Sequence, residues 1–232
     1  GAAGGDLKPL IFYIRLDDPN RKAAGEHLRD DMRAIGIPVD DRVVEKTVAF
    51  KSVMVEYNFH IYTEGYSFGA DGDFLYGTFS SHQFWAPVGW SGGYQAACFR
   101  DLDFWLDRVL YSPKLAPDGL YAIGNATYLL NKYQVTEGLW AAAGVKAYSA
   151  DWSGVVNMQG YGVDHVVAGY GGWSLLNMKS KVVGDDTINY GFKSSPESIH
   201  IISSEWVWDW QLLNCVYDSL IGRNPYDLSK EV

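Results

Sequence analysis

The chain predicts an α/β domain, and three observations carry that prediction. Leu10-Ile11-Phe12-Tyr13-Ile14 is a short apolar run rich in strand formers. A helical pattern follows it at once, and residues 37–44 then read as a second strand. Strand, helix, strand in that order implies a parallel pair joined by a right-handed crossover.

The elements follow in order. Asp17 or Asp18 supplies the first helix's cap and Pro19 suits its opening turn. Its apolar positions Ala24, Leu28, Met32 and Ile35 recur at intervals of three and four. Gly36 is placed to end it in a left-handed conformation. A short helix over residues 49–56 and an extended stretch over 59–66 come next, then a turn at Gly69 and Gly72 that enters a helix. Residues 85–94 hold Pro87 and several glycines without periodicity, so they read as a loop. Helices are expected over 101–111 and about 120–142, and a strand over 145–149. This alternation gives one α/β domain over residues 7–150. Residues 151–186 are a connection rich in Gly, Tyr and Trp. In 187–229, residues 187–192 alternate as a strand, and 205–221 read as an amphipathic helix carrying Trp206, Trp210, Leu213 and Tyr217.

Composition narrows the function. The chain has 232 residues, 47% of them hydrophobic, enough for one or two ordinary cores. A net charge of −9 argues against nucleic acid and anionic lipid as partners, since both need a basic surface. Nine Trp and 16 Tyr exceed what such a core requires. Excess Tyr and Trp either line a ligand cleft or pack a glycine-rich interior. Cys98 and Cys215 are far apart, and their pairing stays open. No apolar run approaches the ~20 residues of a membrane span. Gly1-Ala2-Ala3-Gly4-Gly5 reads as a linker, and the chain as a piece of something longer.

The first candidate site is the segment from Tyr66 to Asp73, with Tyr66, Phe68 and Asp71. It leaves an extended stretch and enters a helix whose N-terminus favours anionic or hydrogen-bonding groups. Asp71 serves equally well as a simple cap for that helix. The second is the loop carrying Trp85, Trp90 and Tyr94, large rings that either contact a ligand or pack against another part of the protein. A third cluster, Trp206, Trp208 and Trp210, reads more readily as core, because Trp206 and Trp210 share a helix face.

The sequence reads against an enzyme. The histidines (His27, His60, His82, His165 and His200) form no close pair and no cysteine stands at metal spacing. Ser80-Ser81-His82 lacks the context of a nucleophile elbow, and there is no phosphate loop. Asp71 and Asp73 are two apart, with nothing to set them on opposite sides of a glycosidic bond. Neither an enzyme nor a cofactor or metal requirement is expected.

An ordered series of segments carries a family resemblance. It comprises the opening strand, Asp17-Asp18-Pro19-Asn20-Arg21-Lys22, and the turn at Met32, Ile35, Gly36 and Ile37. Tyr62-Thr63-Glu64-Gly65-Tyr66, Gly69-Ala70-Asp71-Gly72-Asp73-Phe74-Leu75, Val145-Lys146-Ala147-Tyr148 and Asp151-Trp152 continue it. Together these resemble the second lobe (third domain) of the peptide/nickel-binding family of ABC-transporter solute-binding proteins. Residues 187–192, Ser195-Pro196-Glu197-Ser198 and Trp208-Asp209-Trp210 resemble the start of that family's first lobe, which normally precedes the second.

The resemblance implies a periplasmic-binding-protein type II-like lobe, a mixed sheet flanked by helices. It also implies an extracytoplasmic protein, membrane-anchored in its parent, that closes on a small solute and delivers it to a membrane permease. The solute is a peptide or an oligosaccharide, and the rest of the solute-binding protein supplies the opposite wall. Peptide-binding members hold the ligand's α-amino group with an acidic residue near the position of Phe68, which carries no charge. A different class remains: a structural or protein-interaction domain with the same fold and no working cleft.

Trp90→Ala is expected to weaken ligand binding without unfolding the chain. Titration and thermal melting of the variant check this, and a large loss of Tm with unchanged affinity would refute it.

Overall fold

The computed structural model describes residues 8–66, 72–84, 92–113, 116–141, 145–158, 162–163, 172–192, 195–204, 206–217, 220, 223–224 and 226–231. The chain divides into two compact units, one formed by Gly1–Tyr66 with Leu75–Tyr111, the other by Ser67–Phe74 with Ser112–Val232. Its architecture is α/β, with helices flanking sheets.

The first unit is built on β1 (Leu10–Arg15), α1 (Pro19–Ala34), β2 (Val39–Val44), α2 (Lys46–Phe50) and β3 (Ile61–Tyr62). The strands lie in the order β2-β1-β3, and β1 runs parallel to both neighbours. This sheet is therefore purely parallel among the described residues, where a mixed one was expected. Phe12 and Ile14 pack with Val39 and Met32 on one face. Tyr13 points to the other and packs with Ala49, Val53, Met54 and Tyr94. A strand buried on both faces needs an unbroken apolar run, which is why residues 10–14 show no alternation.

Local chemistry sets the ends of α1. Asp18 is the cap, accepting from the backbone N–H of Asn20 and Arg21 at 3.0 and 3.2 Å. Gly36, at φ +85°, closes the helix while the Ile37 N–H bonds back to the Met32 carbonyl. The buried stripe differs from the expected one: Leu28 and Ile35 are exposed, and Gly25 is the buried residue. A Cβ at Gly25 would lie 2.8 Å from Ile14 Cγ2 and 3.0 Å from Thr63 Cγ2, so the missing side chain lets the helix rest on the sheet. The expected helix over 49–56 is α2 running on into a single π-helical turn, Lys51–Val55. Only Ile61–Tyr62 of the extended stretch pairs as a strand. The unit is completed by α3 (Phe74–Phe79, from Leu75 onward), α4 (Ser81–Phe84) and α5 (Arg100–Tyr111), the last burying Leu102, Leu106 and Val109.

The second unit contains α6 (Pro117–Lys132), β4 (Trp152–Ser153), α7 (Trp173–Asn177), β5 (Lys179–Ser180), α8 (Val207–Val216), β6 (Arg223–Asn224) and β7 (Asp227–Glu231). Both of its described sheets are two-stranded and antiparallel. The helix expected to reach residue 142 ends at Lys132, because Gln134 turns left-handed at φ +52°. The Val135 and Gln134 N–H groups then bond to the carbonyls of Leu130 and Asn131, so a Gln does what Gly36 does in α1. The strands expected at 145–149 and 187–192 are absent: these residues are irregular and pair with no other described strand.

The tail helix also differs. Trp206 is its N-cap and Tyr217 its extended C-cap, so neither belongs to a helical stripe. Asp209 and Leu213 are its buried residues, while the three Trp side chains are half-buried. No described helix is long and apolar enough to cross a membrane.

Two glycine substitutions should move stability in opposite directions. Gly25→Ala adds a methyl against rigid Ile14 and Thr63, an overpacking that costs about 1–3 kcal/mol and outweighs the helix-propensity gain of about 1 kcal/mol. Gly124 of α6 has nothing within 4 Å of an added Cβ, so Gly124→Ala is expected to stabilise by about 0.4–1 kcal/mol. Urea unfolding of both variants checks the opposite signs.

Candidate ligand-binding site

The site is a corner at the C-terminal ends of β1 and β3. After β1 the chain passes into α1, which covers the Phe12 face. After β3 it reaches Tyr66, whose ring packs edge-on against Phe79 at 5.8 Å. Tyr66 is also hydrogen-bonded to Tyr94, which lies on the Tyr13 face. Neighbouring parallel strands whose exits diverge in this way mark the usual binding place of open α/β sheets.

Arg15 closes β1 and is 5% exposed. Register explains its partners. Tyr13 stands opposite Tyr62, so Arg15 and Glu64, each two residues on, meet on the same face. Arg15 Nη1 donates to Glu64 Oε1 at 3.2 Å, while Nε and Nη2 grip both Asp17 oxygens at 2.8 and 2.5 Å. Its backbone N–H donates to Thr63 Oγ1 at 3.0 Å. Burial opposes the Arg15 charge, but the Asp17 hydrogen bond and the fields of Tyr62, Glu64 and Asp17 outweigh it and raise its pKa. Burial opposes the Asp17 carboxylate as well. The Arg15 hydrogen bond and the charges of Arg15 and Arg21 still hold its pKa below the ordinary carboxylate value.

A tyrosine group stands beside these charges. Gly93, at φ +65°, brings Tyr94 in: a Cβ there would fall 2.4 Å from the Phe84 nitrogen, and its N–H is bonded to the Thr78 carbonyl. The hydroxyls of Tyr66 and Tyr94 are hydrogen-bonded, and Gln95 Nε2 donates to the Tyr66 hydroxyl at 3.3 Å. Burial first, then the Glu64 charge, lifts the Tyr62 and Tyr66 phenols above the ordinary tyrosine value. Burial, Tyr66 and Glu64 do the same for Tyr94.

Three buried polar atoms of this corner have no hydrogen-bond partner among the described residues: Glu64 Oε2, Gln95 Oε1 and Arg21 Nη1. Arg21 lies in the first turn of α1, with Nη2 only 2.5 Å from where a Cβ on Gly65 would stand. Its guanidinium therefore rests against the backbone between Glu64 and Tyr66. A buried polar atom left unpaired costs about 1–3 kcal/mol, and these are two acceptors and one donor.

Of the six residues singled out from sequence, the structure brings Tyr66 and Tyr94 together. Phe68, Asp71, Trp85 and Trp90 lie outside the described residues. Sequence reasoning missed Arg15, Arg21, Glu64 and Gln95. The signal for Arg15 was a charge ending a buried apolar strand, and Glu64 lay inside a motif already noted for its family resemblance. Among the described residues no three His, Cys, Asp or Glu side chains are grouped to hold a metal. No family model matches the chain, and neither a curated protein nor a solved structure matches it.

The tyrosines give a pH prediction. In the unfolded chain each phenol ionises near its ordinary pKa of about 10, while folding keeps it protonated to higher pH. Their contribution is intact below that value and is lost as pH rises toward the folded pKa. Tm is expected to fall from about pH 10 upward, and Tyr94→Phe to flatten that fall relative to its own Tm at neutral pH. Thermal melts in an alkaline series check this, and identical slopes would refute it.

Proposed function

We propose that the chain is part of an extracytoplasmic solute-binding protein of an ABC importer, of the peptide/nickel-binding family. Its first unit is one wall of a type II binding-protein cleft that holds a peptide or oligosaccharide and makes or breaks no bond. The observation that carries this reading is the corner between β1 and β3, where Glu64 Oε2, Gln95 Oε1 and Arg21 Nη1 stand buried and unpaired at a sheet's divergent exits. The charges that frame it are locked to each other by short contacts, which suits holding a solute better than moving protons. The ordered family-like segments support the same reading, and the Tyr62-Thr63-Glu64-Gly65-Tyr66 stretch supplies four of the corner's side chains.

The partners implied are a membrane permease and the rest of the binding protein, which would supply the opposite wall. Ligand closure of two such walls is a hinge motion driven by differential affinity for the closed state.

A thermal-shift screen of the folded chain with short peptides and oligosaccharides side by side tests this. A ligand that binds only the native state stabilises it by about 2.7 kcal/mol at a hundredfold excess over Kd. A clear shift with either class is the expected result. No shift with either would remove the solute-binding reading and favour an interaction domain.

A further inference from the structure

We propose that the exposed side of α6 is a self-association surface, on which a second copy of this chain packs its own α6 antiparallel to the first. This goes beyond the solute-binding reading and does not depend on it.

The composition of α6 is the first argument. Asp118 and Lys132, one in its first turn and one in its last, are its two charged side chains, and the thirteen residues between them carry none. α1, of the same length, carries seven. A surface helix ordinarily covers its outer face with charge, and one apolar on all sides belongs in an interior. α6 buries Gly119, Ala122, Ala126, Leu129 and Leu130. At about 3.6 residues per turn, Tyr121, Gly124 and Tyr128 fall together on the side away from these. Leu120, Tyr121 and Tyr128 are 52%, 66% and 65% exposed, and Gly124 has nothing within 4 Å of an added Cβ. Apolar surface of this kind marks an interaction site.

Charge and symmetry say what covers it. Asp118 and Lys132 lie nearly four turns apart and so share one flank of the tyrosine stripe. Both are exposed, Lys132 with its ammonium 5.2 Å from the Tyr133 ring centroid. Two antiparallel copies centred on Gly124 and Asn125 set each Asp118 beside the other copy's Lys132, and two-fold symmetry makes that pair twice. A parallel pair would set like charges together, which opposes association. The antiparallel alignment also puts Tyr121 of each copy beside Tyr128 of the other. Gly124, at the crossing, lets the two helices approach closely.

Area sets the strength. A tyrosine buries about 150–250 Å², so the four rings, each about two-thirds exposed, contribute roughly 400–650 Å². Leu120 and the flanks add to this, near the low end of specific interfaces at about 1,200 Å². That is the size of a weak pair that forms and parts with concentration.

The test is analytical ultracentrifugation of the full chain from about 5 to 500 µM, a range that brackets weak association. The average mass is expected to rise with concentration from the 25.9 kDa of one chain toward twice that value. Tyr128→Lys is expected to hold the mass of one chain throughout. Asp118→Lys and Lys132→Glu each create two like-charge contacts and should weaken the pair about tenfold, while the two together should restore it to within about threefold. Circular dichroism and Tm establish that each variant is folded, and the charge exchange, which leaves the tyrosines in place, carries the test if Tyr128→Lys does not fold. The mass of one chain at every concentration overturns the proposal. Association that Tyr128→Lys leaves unchanged overturns its placement on α6, and a double variant that does not recover overturns the antiparallel pair.

Discussion

The first unit depends on one buried cation. Arg15 ends the central strand with its guanidinium almost wholly removed from water, and it is held there by Asp17 and Glu64. A buried charge that loses one partner costs about 3–5 kcal/mol, set against a net stability for a typical domain of about 5–15 kcal/mol. The pairing therefore constrains geometry as well as energy. Asp17 lies on the exit of β1 and Glu64 on the exit of β3, so the Arg15 side chain ties two diverging connections together. A slip of one residue in the β1–β3 register would send Glu64 to the opposite face and break its pairing with Arg15.

Close backbone approaches then build the corner around that tie. Gly25 lets α1 settle onto Ile14 and Thr63, and Thr63 in turn takes the Arg15 N–H. Gly65 leaves room for Arg21 against the chain between Glu64 and Tyr66. Gly93 carries Tyr94 beneath the backbone of Gln83 and Phe84, where its hydroxyl meets Tyr66. Each approach brings a polar side chain inward, which is how a small parallel sheet acquires a polar end without losing its apolar middle.

The parts of the fold legible in sequence are those set by local chemistry. The apolar run of β1, the Asp18 cap and the left-handed Gly36 all act within a few residues, and all stand where the sequence places them. Reading failed where distant partners decide. Residues 187–192 alternate like a strand, yet no described strand pairs with them, and α6 stops at a left-handed Gln134 that no propensity signals. The corner follows the same division. Tyr66 and Tyr94 stand out in the sequence as aromatics beside glycines. Arg15 with Glu64, and Tyr66 with Gln95, are 49 and 29 residues apart and meet only through strand register and the Gly93 turn.

An unpaired buried oxygen alone does not make a binding corner, and Asp209 shows the difference. It is fully buried in the second unit, and its Oδ2 also has no partner among the described residues. Its other oxygen, however, accepts the backbone N–H of Glu197 and Ser198 at 2.7 and 3.2 Å, anchoring that irregular segment to α8. A fixed structural duty accounts for its burial, and no other unpaired side chain of the second unit accompanies it among the described residues. In the corner of the first unit the unpaired atoms are of both kinds, donor and acceptor. Structural burial explains one such atom well. Three complementary atoms at the divergent exits of a parallel sheet are better explained by something that comes to meet them.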